Sequence, residues 1–328
     1  MNSPSNQRGV ALIIVLLIVA IVSVLATEMG GRLQLQVKRA ANIKDNNQAY
    51  WYAIGAEQFA GKSINSLVAA SAGVIHLNQP WSEEFVFPIE GGGIQAQLLD
   101  MQACFNLNAL KDTTATVGGS RSPELTARLA AFQRLLTNAG LNIAPFTAET
   151  MTDSLADWFD ADDNMSPQGA EDSEYEGRQF PYLAANNFMA DKSELRLING
   201  VELQWLKPVM DWLCVLPSTN QFVLNVNTVS EKNSAVLAAM ADISLSDAAD
   251  VISSRPQDGF KSTADFFVAP QIQAKNLTTA QQAWFDVKTD YFMLQSKTRY
   301  NNATFSMSSL FKVDNNNAKV VSRQFGGF

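Results

Sequence analysis

Between Asp153 and Glu176 the sequence places nine carboxylates and no base: Asp153, Asp157, Asp160, Asp162, Asp163, Glu171, Asp172, Glu174 and Glu176. Like charges at that density repel unless water or a cation neutralises them. Calcium suits such a segment, because it takes six to eight oxygen ligands at flexible angles. With Asp160 as position 1 of an EF-hand loop, Asp162 falls at 3, Asn164 at 5 and Glu171 at 12, all ligand positions of that motif. Met165 stands where the motif's sharp turn requires glycine, and Pro167 follows two residues later. The expectation is therefore an oxygen-rich loop of different backbone geometry, with a simply solvated acidic loop as the alternative.

The remaining reactive side chains are few. Cys104 and Cys214 are the two cysteines, and their spacing fits no zinc pattern. In an oxidising compartment they are a candidate disulfide closing a long loop, with two buried thiols as the alternative. His76 is the one histidine, so an imidazole-based triad or zinc site would have to run through it, and neither G-x-S-x-G nor H-E-x-x-H accompanies it. No enzyme is expected. Gly55 to Ser63 suggests a phosphate loop, but five residues separate Gly55 from Gly61 where the motif has four, and no strand precedes it. The segment around Asp242-Ile243-Ser244 resembles a helix-hairpin-helix module, with aspartate where a DNA-binding turn has its first glycine. A net charge of −8 argues against nucleic acid.

These residues need elements to hold them. An apolar share of 47% over 328 residues is enough for two compact units. From Val10 to Ala26 the chain runs seventeen residues without a charge, which as a helix spans about 26 Å against a hydrocarbon core of about 30 Å. No proline occurs between Pro4 and Pro80, so the helix can continue out of the bilayer. There Tyr52, Ala56, Phe59, Ala60, Leu67 and Ala70 share one face at helical spacing, the face expected to pack on a globular domain.

The small residue lies before the apolar run, at Arg8-Gly9 followed by Val10. That order resembles the class III leader of type IV prepilins and pseudopilins. The resemblance implies cleavage by prepilin peptidase between Gly9 and Val10 and methylation of the new amine. Most members of that superfamily carry glutamate at the fifth mature residue, and the counterpart here is Ile14. A carboxylate in hydrocarbon costs about 2.5–3.5 kcal/mol unless neutralised, and in a filament the neighbour's amine can neutralise it. A subunit without the glutamate is suited to the end of a fibre, where no such pairing is needed. Arg32, Lys38, Arg39 and Lys44 follow the apolar run. Counting positive charges alone would put the following domain in the cytoplasm, whereas the leader puts it in the periplasm.

Beyond His76, strands are expected near 84–88 and 93–105, a mostly helical region over 108–285, and three strands in YFMLQSKTRY, TFSMSSLFKV and AKVVSRQFG, with QFVLNVN as a further strand inside the helical block. The fold class expected is α+β: a long N-terminal transmembrane and amphipathic helix packed on a small antiparallel sheet, with a large inserted all-α domain. The divisions are a leader over 1–9, the helix over 10–75 with its membrane part at 10–26, a core of 76–107 and 286–328, and an inserted domain of 108–285.

Asp100-Met-Gln-Ala-Cys-Phe-Asn-Leu-Asn108, the acidic loop from Trp158 to Tyr175, and Leu224-Asn-Val-Asn-Thr-Val-Ser230 together resemble the minor pseudopilin K family of type II secretion systems. The resemblance implies the pseudopilin fold, a subunit at the tip of the pseudopilus and a structural calcium ion in the α domain. For that ion it points to Asp160, Asp162, Glu171, Asp172 and Glu174 as ligands. It also implies partners: minor pseudopilins I and J, then H and the major pseudopilin, with prepilin peptidase and the inner-membrane secretion platform. The location implied is a bacterial inner membrane, single-pass, with the C-terminal domain in the periplasm. A membrane-anchored periplasmic protein that binds or hydrolyses a ligand in a calcium-dependent way is the alternative.

Overall fold

The computed structural model describes residues 8–112, 121–138 and 140–326; most of the leader, residues 1–7, lies outside them. Helix α1 runs Arg8–Ala70, about 95 Å at the usual rise per residue. From residue 10 to residue 44 every residue is exposed, including the whole apolar run. A helix with that surface needs a bilayer or other helices around it, consistent with a single-pass membrane anchor. The helix stops at Ala70, earlier than residue 75, because Ala72 and Gly73 both adopt positive φ (52° and 87°) and turn the chain.

The sheet-facing side of α1 matches the expected one in part: Ala60 is buried, Leu67 packs on the same core and the Tyr52 ring meets Tyr300. Ala49, Ala53, Glu57, Ala60 and Ile64 are buried, while Phe59 is 66% exposed and Ala70 lies open. Small residues let the helix approach the sheet closely: a Cβ on Gly61 would stand 3.2 Å from the Phe311 ring. The stripe also passes through an ionisable residue, Glu57, which hydropathy alone would assign to solvent.

Strands β1 (Phe85–Ile89) and β2 (Gly92–Asp100) form a hairpin. Gly92 is required there, since a Cβ would lie 1.9 Å from the Arg299 carbonyl oxygen. The chain then leaves the sheet, passing among the described residues through four two-residue strands, β3 (Phe105–Asn106), β4 (Leu213–Cys214), β5 (Leu224–Asn225) and β6 (Phe285–Asp286). It returns as β7 (Tyr291–Tyr300), β8 (Ala303–Asp314) and β9 (Asn317–Phe325). The order β1-β2-β7-β8-β9 is antiparallel throughout. The turn between β8 and β9 uses Asn315 and Asn316 at positive φ, as its residue types require. Leu98, Phe292, Leu294, Phe311 and Val313 face α1 and pack with Ala60, Ile64 and Trp81.

The second strand ends at Asp100, not at 105, because the Asp100 carboxylate accepts the amide of Gln102 and turns the chain. Cys104 therefore sits in a turn beyond the strand. The expected strand QFVLNVN shrinks to Leu224–Asn225, since its asparagines bond across the domain instead of along a ladder. Asn225 donates to Thr289, Asp100 and the Ile75 carbonyl, and Asn227 exchanges hydrogen bonds with the Phe260 backbone.

Between Asp100 and Tyr291 the inserted unit holds α2 (Pro123–Asn138), α3 (Pro145–Phe159), α4 (Asp172–Glu176), α5 (Leu203–Trp212), α6 (Ser234–Ala241) and α7 (Leu245–Ser253) around one apolar core. It is helical with two small parallel ladders, β3 with β4 and β5 with β6, and so is not purely α. Cys104 and Cys214 form a disulfide with a Cα separation of 5.8 Å, tying the turn after β2 to β4. At the hairpin-like segment α6 ends on Asp242 in the left-handed region (φ 53°), and Ser244 caps α7. Arg134 and Lys275 pair with the Asp242 carboxylate, so this turn serves packing within the domain. The Gly55 to Ser63 segment lies inside α1, as its surroundings implied.

Candidate metal centre

Helix α3 carries Asp153 and Asp157 inward on its last turns and hands over at Asp160, its C-cap. The chain loops back so that Glu171, the residue before α4, meets them. Carboxylate oxygens of Asp157, Asp160 and Glu171 lie within 4.8 Å of one another. Glu171 is 2% exposed, and among the described residues neither of its carboxylate oxygens has a hydrogen-bond partner. Burying an unpartnered carboxylate is expensive, and a cation or a proton must compensate it.

The electrostatics agree with the geometry. Burial, with repulsion from Asp157, Asp160 and Asp172, pushes the Glu171 carboxyl up to about 8. Burial and then the neighbouring Asp162 and Asp157 raise Asp160 to about 6. Burial also raises Asp157, against hydrogen bonds from Ser166. Part of the negative charge is met from elsewhere in the chain. Arg121 pairs with Asp153 at 2.8 Å and reaches Asp157 at 3.9 Å, and the Lys111 ammonium donates to the Phe159 carbonyl. Space is tight on one side, since a Cβ on Gly169 would stand 1.8 Å from Asp157 Oδ2.

Of the five residues expected as ligands, Asp160 and Glu171 come together. Asp162 is exposed and accepts both the backbone and side-chain N–H groups of Asn164. Asp172 accepts the amide of Ala184 at 2.8 Å, and Glu174 is exposed on α4. Asp157 joins the cluster although counting from Asp160 left it out. Its signal was helical spacing, three residues before Asp160 on the same inward edge of α3. Hard carboxylate oxygens, one of them buried and unpartnered, fit a hard cation such as calcium.

Aromatic rings brace the loop beyond the cluster. Trp158 and Tyr182 flank Tyr175, and the Arg178 guanidinium lies 4.8 Å from the Tyr175 ring centroid. Arg178 and Tyr182 both bond the Leu197 carbonyl, fixing the segment after α4 to the rest of the domain.

A membrane-length helix laid on an antiparallel meander places the chain in the pseudopilin class of secretion components, here with a helical domain inserted between the second and third strands of the sheet. Residues 103–218 and 224–288 match the two family models of type II secretion system protein K. The chain belongs to the type II secretion system protein K family. It is 33% identical to "Type II secretion system protein K" of Aeromonas hydrophila, covering 100% of this chain and 99% of that protein. It is 34% identical to the protein of the same name from Klebsiella pneumoniae, covering 98% and 97%. Among solved structures it matches a chain of the GspK-GspI-GspJ complex from the enterotoxigenic Escherichia coli type 2 secretion system. That match has TM-score 0.77 and 29% identity, over 88% of this chain and 100% of that one.

Proposed function

We propose that this protein is the subunit at the tip of the type II secretion pseudopilus, acting by assembly and not by catalysis. The observation that carries the reading is the match, along the whole of the solved chain, to a component of a complex of three such proteins. Its partners are then minor pseudopilins I and J, followed by H and the major pseudopilin, with the inner-membrane platform beneath them. Ile14 supports the terminal position, because it offers no carboxylate to a neighbour's amine. So does the bulk of the inserted domain, which stands in the way of another subunit above it.

In this reading prepilin peptidase cuts between Gly9 and Val10, the amine of Val10 is methylated, and the anchor holds the domain on the periplasmic side of the inner membrane. Arg32, Lys38, Arg39 and Lys44 oppose that orientation by charge count, and the leader outweighs them. N-terminal sequencing of the membrane-bound protein tests it: a chain beginning at N-methylated Val10 is expected, and one retaining Met1 overturns it. Co-purification with pseudopilins I and J is the matching test of assembly, and a protein that stays monomeric in their presence contradicts the tip role.

A calcium ion at Asp157, Asp160 and Glu171 belongs to the same proposal, with Asp162, Asp172 and Glu174 as the further oxygen donors expected from sequence. When bound, the ion supplies positive charge that fixes the loop between α3 and α4. The residues do the rest: Glu171 closes over the cluster, and Tyr175 and Arg178 transmit its position to the segment at Leu197. Calcium titration followed by thermal melting is the test, and an unchanged melting temperature with no bound ion would remove the metal from the proposal.

A further inference from the structure

Helix α1 lies off centre on its face of the sheet. The Tyr52 ring meets Tyr300 on β7, Gly61 closes on Phe311 of β8, and Glu57 bonds Ser309 on β8 and Arg323 on β9. Opposite residues in an antiparallel sheet share a face. Phe85 and Phe87 on β1 therefore point the same way as Ala96 and Ile94 on β2, and as Ser296 and Thr298 on β7, which are fully buried. Yet Phe85 is 44% exposed and Phe87 66% exposed, and Ile94 and Ala96 are only half-buried. Phe59, exposed as well, stands two turns on from Tyr52, on the flank of α1 that turns toward these strands. On the other face of β1, Val86 has only Gln95 and Lys297 beside it, so the apolar surface belongs to the α1 side and not to the strand's edge.

The spacing of the layers says what fits there. Strands lie about 4.8 Å apart and packed helices about 8–10 Å apart, so one helix covers roughly two strands. With α1 over β7 and β8, the next helix position on one side falls over β1 and β2, and on the other side beyond β9. The ledge has room for one more helix, and no described residue of the chain covers Phe85 or Phe87.

Charge narrows the occupant further. Glu83, Glu84 and Glu90 frame β1, and no lysine or arginine occurs between Lys62 and Lys111. An acidic border selects basic residues beside the apolar stripe of whatever docks. This chain's own α1 shows that pattern where it is bare: Met29, Leu33 and Val37 are exposed at helical spacing, with Arg32, Lys38, Arg39 and Lys44 around them. Subunits of the same plan bring such helices to one another, and the matched relative was solved in a complex of three proteins.

We infer that the ledge formed by Phe59, Phe85 and Phe87 seats the N-terminal helix of a neighbouring pseudopilin, lying alongside α1 over β1 and β2. The seated helix presents an apolar stripe bordered by lysine or arginine. The inference rests on the assembly proposed above and assigns one of its contact surfaces.

The test uses the full chain with full-length minor pseudopilins I and J in detergent micelles, with affinity read by microscale thermophoresis. Phe85→Ser with Phe87→Ser is expected to weaken association about tenfold or more, and Val86→Ser to leave it within about twofold. Glu83→Lys with Glu90→Lys is expected to weaken it too, and more so at low salt. A photo-reactive benzoyl-phenylalanine in place of Phe87 is expected to crosslink to the N-terminal helix of I or J, as located by mass spectrometry. Far-UV circular dichroism and melting establish that each variant is folded. A wild-type chain that does not associate with I and J overturns the tip reading and this inference together. Where the wild type does associate, any of three results overturns the ledge alone: undiminished binding by the double phenylalanine variant, an equal loss from Val86→Ser, or crosslinks to a second copy of this chain.

Discussion

Glu57, buried in the interface between α1 and the sheet, receives Nε of Arg323 on β9 at 2.6 Å and Nη2 at 2.9 Å. Ser309 on β8 adds a third hydrogen bond at 2.7 Å. Burial pushes the Glu57 carboxyl up, but these donors outweigh it and hold the group below the ordinary glutamate value. The pair ties the last strand of the chain to its first helix, which Asn65 also joins by accepting the Ala318 amide of β9 at 2.6 Å.

The two ends of that pair are not equivalent, because Glu57 is enclosed while Arg323 is partly open to water. Arg323→Ala leaves a buried carboxylate without its charged partner and is expected to cost about 2–4 kcal/mol. Glu57→Gln keeps a neutral acceptor and lets the arginine turn to solvent, so its cost is expected to be smaller, about 1 kcal/mol. Urea denaturation of the two variants gives the order, and a larger loss for Glu57→Gln would contradict this account.

At the metal cluster the carboxyl of Glu171, raised to about 8, sets the pH dependence. Without calcium it holds a proton at neutral pH, and the ion must displace that proton to bind. Calcium affinity is therefore expected to rise with pH from about 6 to 8 and to flatten above, as measured by titration calorimetry in buffers of different ionisation enthalpy. Glu171→Gln is expected to abolish the calcium-dependent rise in melting temperature. Asp162→Asn, at the exposed edge of the loop, is expected to weaken it only in part.

Gly169→Ala tests the packing of the same cluster independently of charge. Its Cβ has no room beside Asp157 Oδ2, so either the loop or the aspartate must move. Loss of about 1–3 kcal/mol and weaker calcium binding are expected together. Stability and affinity that both stay at wild-type values would show that the contact does not matter.

Asp100 gives a second pH signal, at the junction of the two units. It accepts hydrogen bonds from Thr228, Thr289, Asn225 and the Gln102 amide, yet burial outweighs them and raises it to about 6. A carboxyl whose folded value lies above its unfolded value of about 3.9 destabilises the fold while ionised, and the native state takes up the proton first as pH falls. Stability at saturating calcium is expected to rise as pH drops from about 7 to 4, by up to about 3 kcal/mol from this group. Comparing urea midpoints of wild type and Asp100→Asn isolates the effect, which is absent if the two curves run parallel.

The disulfide closes a loop with a sequence separation of 110. In the chain-entropy account such a loop contributes about 4.7 kcal/mol by restricting the unfolded chain. Cys104→Ser with Cys214→Ser is expected to lower the denaturation midpoint accordingly. Mass spectrometry of the unreduced wild type should show a mass lower by two hydrogens than after reduction.

Much of the architecture was legible because it follows local rules. An uncharged run long enough for a bilayer, the absence of proline between Pro4 and Pro80, and the asparagine-rich turn after Asp314 fix the anchor, the long helix and the last hairpin by spacing alone. The motifs at Asp100 to Asn108 and Leu224 to Ser230 also marked the right places. Their meaning came from contact: Asp100 and Asn225 meet across 125 residues to join the sheet to the inserted domain.

What sequence could not supply depends on enclosure and on side chains distant along the chain. Glu57 reads as a surface residue until Arg323 is beside it. Asp157 reads as one acid among nine until the loop brings Glu171 back to it without a partner. Pattern determines which elements form, because helix and strand periods act between neighbours. Whether a charge is buried, paired or left waiting for a cation is set by what surrounds it, and only the tertiary structure decided that.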